Sequence, residues 1–180
     1  MRAARRILTA LLGTVLVIFV LGLALRIYMG REAEDRLAPG EAVRIAELRS
    51  PLPKPSYLAC PPDYCSTAEA VASPQFEMPW ARLYEYWAEV TSGEKRMVRI
   101  VNDPDARRFV YIQHSPTFRF PDIVTVEFIP LGPTRSSVAI FSRSRYGEYD
   151  FGKNRKRVGR WLALLEKVAR PGTERMERPK

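Results

Sequence analysis

The chain has 180 residues, a length that allows one folded domain with an extension. Apolar residues make up 46% of it, which is enough to build a hydrophobic core. The formal net charge of +9 leaves three classes of anionic partner open, namely nucleic acid, acidic lipid and acidic polymer.

An apolar segment near the N-terminus predicts a membrane-spanning helix. Residues 1–6 carry three arginines and no acid, and residues 7–25 then run without a charged residue. As a helix this segment would be about 28 Å long, close to the thickness of a bilayer's hydrocarbon core. A cleaved signal peptide is the alternative, but its apolar region is usually shorter and ends at a site of small residues. We therefore predict a basic cytoplasmic tail over 1–6 and one transmembrane helix over 7–28.

Two cysteines indicate the compartment of the rest of the chain. Cys60 and Cys65 lie close together in "CPPDYC", and the chain has no other thiol. Such a pair suits a disulfide in an oxidising space. A zinc site would need two more ligands, and the only histidine is His114. With the arginines before the apolar segment favouring an inside N-terminus, we expect an inner-membrane protein with a periplasmic C-terminal domain, which disfavours nucleic acid as a partner.

Residues 29–56 have the composition of a linker. They mix charges of both signs and end in "PLPKP", whose prolines favour a stiff, extended spacer. The folded domain is predicted over 57–170, followed by a flexible charged tail over 171–180.

Apolar spacing predicts two amphipathic helices in this domain. In "MPWARLYEYWAEV" one helical face carries Trp80, Leu83, Tyr84, Trp87 and Val90. In "NRKRVGRWLALLEKVAR" the same spacing recurs at Val158, Trp161, Leu162, Leu165 and Val168. Each helix has one apolar stripe, so we expect both to cover the same face of a sheet.

Four short segments between the helices are rich in β-branched and aromatic residues and predict strands at 96–101, 108–114, 123–129 and 136–144. Short connectors between them indicate antiparallel neighbours. The predicted fold class is α+β: a small antiparallel sheet of about four strands with two helices on one face, preceded by one transmembrane helix.

The segment "FSRSRYGEYDFGKNRKRVGRW" places cations where a helix begins, although the helix dipole disfavours them there. Arg143 and Arg145 are two apart in a strand and point the same way, and Asn154 suits the N-cap position. Free N–H groups and guanidinium groups together form an anion site for phosphate or carboxylate. The predicted ligand-binding residues are Arg143, Arg145, Asn154, Arg155 and Arg157.

A structural interpretation of the same turn stays open. Glu148 and Asp150 would then fold back and neutralise the cations. Gly147 and Gly152 allow the backbone to turn. In this interpretation Asp150, Gly147 and Gly152 hold the turn together, and the arginines are internal ties.

An enzyme is the third alternative. Asp122, Glu127 or Asp150 would supply acid–base chemistry in a hydrolase-like reaction. No nucleophile, metal-ligand set or glycine-rich phosphate loop accompanies them, and a lone histidine such as His114 is usually a hydrogen-bonding residue. We therefore predict no cofactor and no metal, and favour a protein without catalytic activity.

Three motifs in this order, "CPPDYCS", "FRFPDIVTVEF" and "SRSRYGEYDFGKNRKRV", resemble the bacterial and plastid domain-of-unknown-function family numbered 1499. The last motif carries the most specific part of the resemblance, through Ser142, Ser144, Arg145, Gly147, Asp150, Gly152, Asn154, Arg155 and Arg157. In the first motif Asp63 and Tyr64 stand where the family usually has Pro-Asn. The resemblance implies an envelope-associated domain and implies no particular reaction.

These observations predict a membrane-anchored, extracytoplasmic binding module of the cell envelope, whose anionic ligand is a lipid headgroup or an acidic polymer. A structural or interaction subunit of an envelope complex is the second hypothesis, and the hydrolase-like enzyme is the third.

Overall fold

The apolar N-terminal segment forms helix α1, Arg2–Glu32, in the computed structural model, which describes residues 2–32 and 36–169. Within α1, Arg5–Tyr28 is long and apolar enough to cross a membrane, and none of it is buried against the rest of the protein. A signal sequence meets the same criteria of length and composition. The predicted charged tail, 171–180, lies outside the described residues.

One sheet organises the rest of the described chain. Its strands are β1 (Ser56–Cys60), β2 (Val71–Ala72), β3 (Gln75–Phe76), β4 (Met97–Asp103), β5 (Arg108–His114), β6 (Pro121–Pro130) and β7 (Ser136–Ser144). The strand order is β2-β1-β7-β6-β5-β4, and β3 also pairs with β7. All neighbouring strands are antiparallel except β1 and β2, which are parallel.

The sheet has seven strands rather than the predicted four or so. Strands β4 to β7 correspond to the four predicted segments, so the mixed α+β class is confirmed. The additional strands are short: β1 has five residues, and β2 and β3 have two each. Segments of this length show too few alternations for a period of two to be recognised in the sequence.

Two helices cover one face of the sheet, as the spacing of their apolar residues predicts. They are α2, Trp80–Ser92, and α3, Lys153–Ala169. Their fully buried side chains, including Leu83, Trp87 and Trp161, share one core with the even-numbered residues of β6. We call this side of the sheet the helix face.

The opposite side of the sheet is covered by residues 36–55, a part of the chain whose composition suggests a spacer. Ile45 is 0% exposed and Leu52 is 5% exposed, and both pack with Ile129 and Phe141. The physical reason is that β6 carries apolar side chains on both sides, with Ile123 and Ile129 facing this one, so both faces of the sheet need cover. We call this side the linker face.

Glu94, just beyond the end of α2, joins the two helices and the sheet. Its carboxylate accepts hydrogen bonds from Arg160 Nη1 at 2.5 Å, Trp161 Nε1 at 2.9 Å and Gln113 Nε2 at 3.2 Å. Burial alone would raise the pKa of Glu94, but these donors and the Arg160 charge outweigh burial and hold the pKa below its ordinary value. The carboxylate therefore stabilises the packing of α2 against α3.

Candidate functional site

The predicted anion-site residues lie where β7 ends and α3 begins, and the alternation of the strand separates them. Side chains of β7 point alternately to the two faces of the sheet. Ser142 contacts Asn154 of α3 and so lies on the helix face, whereas Arg143 and Arg145 contact Glu41 and lie on the linker face. The five predicted residues therefore do not converge on one point.

On the linker face, Arg145 forms a bidentate ion pair with Glu41. Its Nε and Nη2 lie 2.8 Å from Oε1 and 2.6 Å from Oε2 of that carboxylate, and Nη2 also donates to the carbonyl oxygen of Arg36 at 2.9 Å. Arg143 Nη2 lies 3.7 Å from Glu41 Oε1. The strand end is thus tied to the chain that leads from α1, 104 residues earlier in the sequence.

The surroundings of this ion pair favour the charged form of Glu41. Burial by itself would raise the pKa of Glu41. The pKa is nevertheless lowered overall, because Glu41 accepts hydrogen bonds from Arg145 and from the Ala38 N–H. The positive charges of Arg145 and Arg143 lower it as well. Burial lowers the pKa of Arg143, with Glu41 opposing that shift. Neither arginine is available to an outside anion while Glu41 stays in place.

On the helix face, Arg157 binds groups of the protein itself. Its Nη2 lies 2.5 Å from Asp122 Oδ2, and its Nη1 donates to Ser142 Oγ and to Asn154 Oδ1, both at 3.0 Å. The side chains of Arg157 and Asp122 are 12% and 9% exposed. Asn154 is completely buried and also accepts a hydrogen bond from Ser142 Oγ at 2.7 Å. These contacts make Arg157 and Asn154 internal ties.

Asp150, and not Asn154, caps α3. Its Oδ1 accepts from the Gly152 N–H and its Oδ2 from the Asn154 N–H, both at 2.9 Å. Burial would raise the pKa of Asp150, but these N–H donors dominate and lower it. The N-cap predicted at Asn154 is wrong because that side chain turns into the protein between β7 and α3. The anion-binding end of the helix is filled by the protein's own carboxylate.

The loop before α3 adopts conformations that glycine favours. Gly147 and Gly152 have φ angles of 88° and 71°, and Phe151 has a φ of 53°. The two glycines meet no steric penalty there. The turn 146–152 is therefore held by its backbone and by the Asp150 carboxylate, while Glu148 is exposed and pairs with none of the described cations.

Three cations at the start of α3 remain exposed. Lys153, Arg155 and Lys156 form no ion pair within residues 2–32 and 36–169. Just before them, Tyr149 is 80% exposed and Phe151 is 85% exposed. Of the five predicted ligand-binding residues, only Arg155 lies in this exposed group.

The carboxylates proposed for catalysis do not share a site. Asp122 points to the helix face, whereas Glu127 points to the linker face, where its Oε1 accepts from the Ile45 N–H at 3.1 Å and its Oε2 from Tyr64 Oη at 2.8 Å. Burial, and then the hydrogen bond to Glu127, raise the pKa of Tyr64. Asp122 and Glu127 therefore act as separate structural anchors on opposite sides of β6.

Cys60 and Cys65 form a disulfide, with their Cα atoms 6.2 Å apart. The closed loop carries Tyr64, whose hydroxyl reaches Glu127. The disulfide thus lies beside the linker face, where Cys60 is buried with Ile45 and Leu52. Within the described parts of the chain, no group of three or more His, Cys, Asp and Glu side chains gathers as metal ligands would.

Sequence reasoning missed two features of this region. Glu41 lies in a mixed-charge segment with no periodicity, so nothing marks it as the partner of Arg145. The exposure of Tyr149 and Phe151 is the second feature; their position between Gly147 and Gly152, outside the apolar spacing of any helix or strand, is a usable signal.

Comparison with known proteins agrees with the motifs. The model of a family described as "Protein of unknown function (DUF1499)" matches residues 56–165, which is more than half of the chain. No curated protein is similar enough to count as a match. A solution NMR structure of a structural-genomics target from Thermobifida fusca is 14% identical, with a TM-score of 0.38, and the similarity covers 62% of this chain and 91% of that one. The matched residues include β1, β7 and residues 153–165 of α3, and the chain belongs to the DUF1499 family.

Proposed function

We propose that this protein is a single-pass, membrane-anchored domain of the cell envelope that binds an anionic ligand without catalysis. In this proposal α1 stays in the inner membrane and the disulfide-closed domain lies in the periplasm. The ligand is a lipid headgroup or an acidic polymer.

The observation that carries the proposal is the exposed group of cations at the start of α3. Lys153, Arg155 and Lys156 occupy positions that the helix dipole disfavours, at a cost of roughly 0.3–1 kcal/mol each. Their neighbours Arg145 and Arg157 are bound inside the protein, whereas these three have no acidic partner among the described residues. An external anion would satisfy them.

The test uses the full chain in nanodiscs of zwitterionic lipid, with inorganic polyphosphate as a soluble probe. Binding should weaken with added salt, because exposed charges are screened. The combined variant Lys153→Gln, Arg155→Gln and Lys156→Gln should bind polyphosphate at least about tenfold more weakly, since each cation near an anionic surface contributes about 1 kcal/mol.

A control variant removes the same charge elsewhere. Arg82, Arg135 and Lys167 are exposed and lie away from the start of α3, and changing all three to glutamine lowers the net charge equally. This variant should keep most of the binding. Equal losses in both variants would show only a response to net charge and would contradict the proposed site.

A second function is favoured by the internal ion pairs. Arg145 with Glu41, and Arg157 with Asp122, act as ties within the fold, as expected of a structural or interaction subunit of an envelope complex. Under that function the start of α3 contacts a protein, and polyphosphate binding by the wild type is absent.

A further inference from the structure

We propose that the domain lies against the bilayer in which its own helix is anchored, and that the anionic ligand is the headgroup layer of that bilayer. This inference rests on the proposed function and names its ligand. Three observations carry it: the small number of residues between α1 and Arg36, the distribution of charge, and the position of exposed aromatic residues.

The number of residues between α1 and Arg36 limits the distance between one end of the sheet and the end of α1. From Glu32 to Arg36 there are four residue steps, which span at most about 14 Å. From Tyr28, where the apolar segment ends, to Glu32 the helix adds about 6 Å. Arg36 therefore lies at most about 20 Å from Tyr28, where the apolar segment ends. The guanidinium group of Arg145 lies only a little further away, because its Nη2 donates to the Arg36 carbonyl oxygen at 2.9 Å.

Several loops leave the sheet at the same end as Arg145. Strands β1, β4 and β6 start at this end of the sheet, and β5 and β7 finish at it. The pairing of their terminal residues shows this: Ser56 with Arg143, Met97 with Gln113, His114 with Pro121, and Asp122 with Ser144. We define the basic end as residues 54–55, 93–96, 115–120 and 145–156. The opposite end of the sheet is about 30 Å away along β6.

Exposed charge at the basic end is almost all positive. Its exposed cations are Lys54, Lys95, Arg96, Lys153, Arg155 and Lys156, and its one exposed acid is Glu148. At the other end, the exposed charged residues of the two hairpin turns 103–107 and 131–135 are one acid, Asp105, and one cation, Arg135. A basic surface held beside a bilayer is attracted to anionic headgroups, and each cation strengthens that attraction about fivefold.

Exposed aromatic residues are concentrated at the same end. Among the described residues outside α1, seven large apolar side chains are exposed, and five of them belong to the basic end: Phe118, Phe120, Tyr146, Tyr149 and Phe151. Phe118 and Phe120 contact each other, with ring centroids 5.7 Å apart. Aromatic rings next to cations are typical of surfaces that lie at the headgroup level of a membrane. The two loops therefore fit the interface of a bilayer better than a fully hydrated ligand.

The experiment places a photoreactive group at the tip of the loop before α3. Phe151→p-benzoylphenylalanine keeps an aromatic ring at a position that is 85% exposed. The full chain is put into nanodiscs containing phosphatidylglycerol and irradiated, and lipid adducts are measured by mass spectrometry. The control is Thr134→p-benzoylphenylalanine, in an exposed turn at the opposite end of the sheet.

We expect at least five times more lipid adduct from position 151 than from position 134. Tyr149→p-benzoylphenylalanine, at a site 80% exposed, should give the same result if the first variant does not fold. Equal adduct yields at the two ends, or none at positions 149 and 151, would overturn the inference. If the lipid adducts fail in this way but polyphosphate still binds, the proposed anion binding stands, and only the bilayer is excluded as the ligand. If polyphosphate binding is lost as well, both fail.

Discussion

The side chain of Arg157 is only 12% exposed and binds Asp122, Ser142 and Asn154 together. Charged groups removed from water in this way are stable only when they are paired and hydrogen-bonded. At the residue scale, the arginines of this region therefore divide into two kinds. Arg145 and Arg157 maintain the fold, and Arg155 faces the surroundings.

Removing Arg157 should destabilise the protein strongly. Arg157→Ala leaves the Asp122 carboxylate in a nearly buried position without its partner, and we expect a loss of about 3 kcal/mol in the free energy of unfolding. Arg155→Ala, two residues away on the same helix, should change it by no more than about 0.5 kcal/mol. Chemical denaturation of both variants in the same detergent measures the difference, and equal effects would contradict the division of roles.

The cap of α3 gives a second prediction. Asp150→Ala removes the acceptor of the Gly152 and Asn154 N–H groups, and should lower the free energy of unfolding by about 1 kcal/mol. Glu148→Ala, in the same loop but exposed, is the control and should have little effect. Thermal unfolding that ranks these two variants in the reverse order would refute Asp150 as the cap.

At the element scale, the segment 36–55 is part of the domain. It covers the linker face with Ile45 and Leu52, and its Glu41 holds the end of β7 through Arg145 and Arg143. The consequence is that four residue steps at most separate α1 from chain that packs on the sheet. We expect the stability of the domain to depend on this segment.

Glu41→Gln tests that dependence. The change removes the charge that pairs with two partly buried arginines, and should lower the free energy of unfolding by about 3 kcal/mol. Limited proteolysis should also cut within 36–55 faster. Glu47→Gln is the control, because the Glu47 side chain is 73% exposed and its partner Arg44 is 61% exposed. Unchanged proteolysis in Glu41→Gln would mean that the ion pair does not hold the segment.

Stability should also fall in acid. The pKa values of Glu41, Glu94 and Asp150 are lowered from ordinary values of 4.5, 4.5 and 3.8. The stabilisation from these carboxylates is complete above the ordinary pKa values, which apply to the unfolded chain. It is lost as the pH falls towards the lowered pKa values of the folded protein, because the unfolded chain takes up protons at a higher pH than the folded protein does. Each such carboxylate contributes a slope of up to about 1.4 kcal/mol per pH unit. Denaturation between pH 6 and 3 should therefore show a shallower slope for Glu41→Gln than for wild type, and identical slopes would exclude Glu41 as a contributor.

How much the sequence predicts depends on the length of each pattern. The aromatic stripes of α2 and α3 and the β-branched runs of β4 to β7 repeat often enough to be recognised, and these elements agree with the structure within a few residues. Ile45 and Leu52 are single apolar residues among charges and prolines, so their burial follows only from the need to cover β6 on both sides. The partners of the arginines depend on contacts between residues far apart in the chain, 104 residues for Arg145 with Glu41 and 35 for Arg157 with Asp122, which no local pattern encodes.

At the scale of the whole molecule, an apolar helix, a disulfide-closed α+β domain and a basic end occur in one chain. The apolar helix has the length to span a bilayer. Arg145, at the basic end, donates a hydrogen bond to the carbonyl oxygen of Arg36, four residue steps beyond the end of α1. The exposed cations and aromatic rings of the basic end match a headgroup layer in chemistry. The proposed function therefore requires that α1 remains in the membrane and that the domain lies outside the cytoplasm.

Topology is the measurement that tests this most directly. Two reporters are fused in turn to the C-terminus. Alkaline phosphatase is active only after export, whereas green fluorescent protein fluoresces if it stays in the cytoplasm and does not fluoresce after export in unfolded form. We expect an active phosphatase fusion, a fluorescent-protein fusion without fluorescence, and Cys60 and Cys65 that resist thiol labelling until a reductant is added. A fluorescent fusion with an inactive phosphatase and freely labelled cysteines would contradict the proposed function.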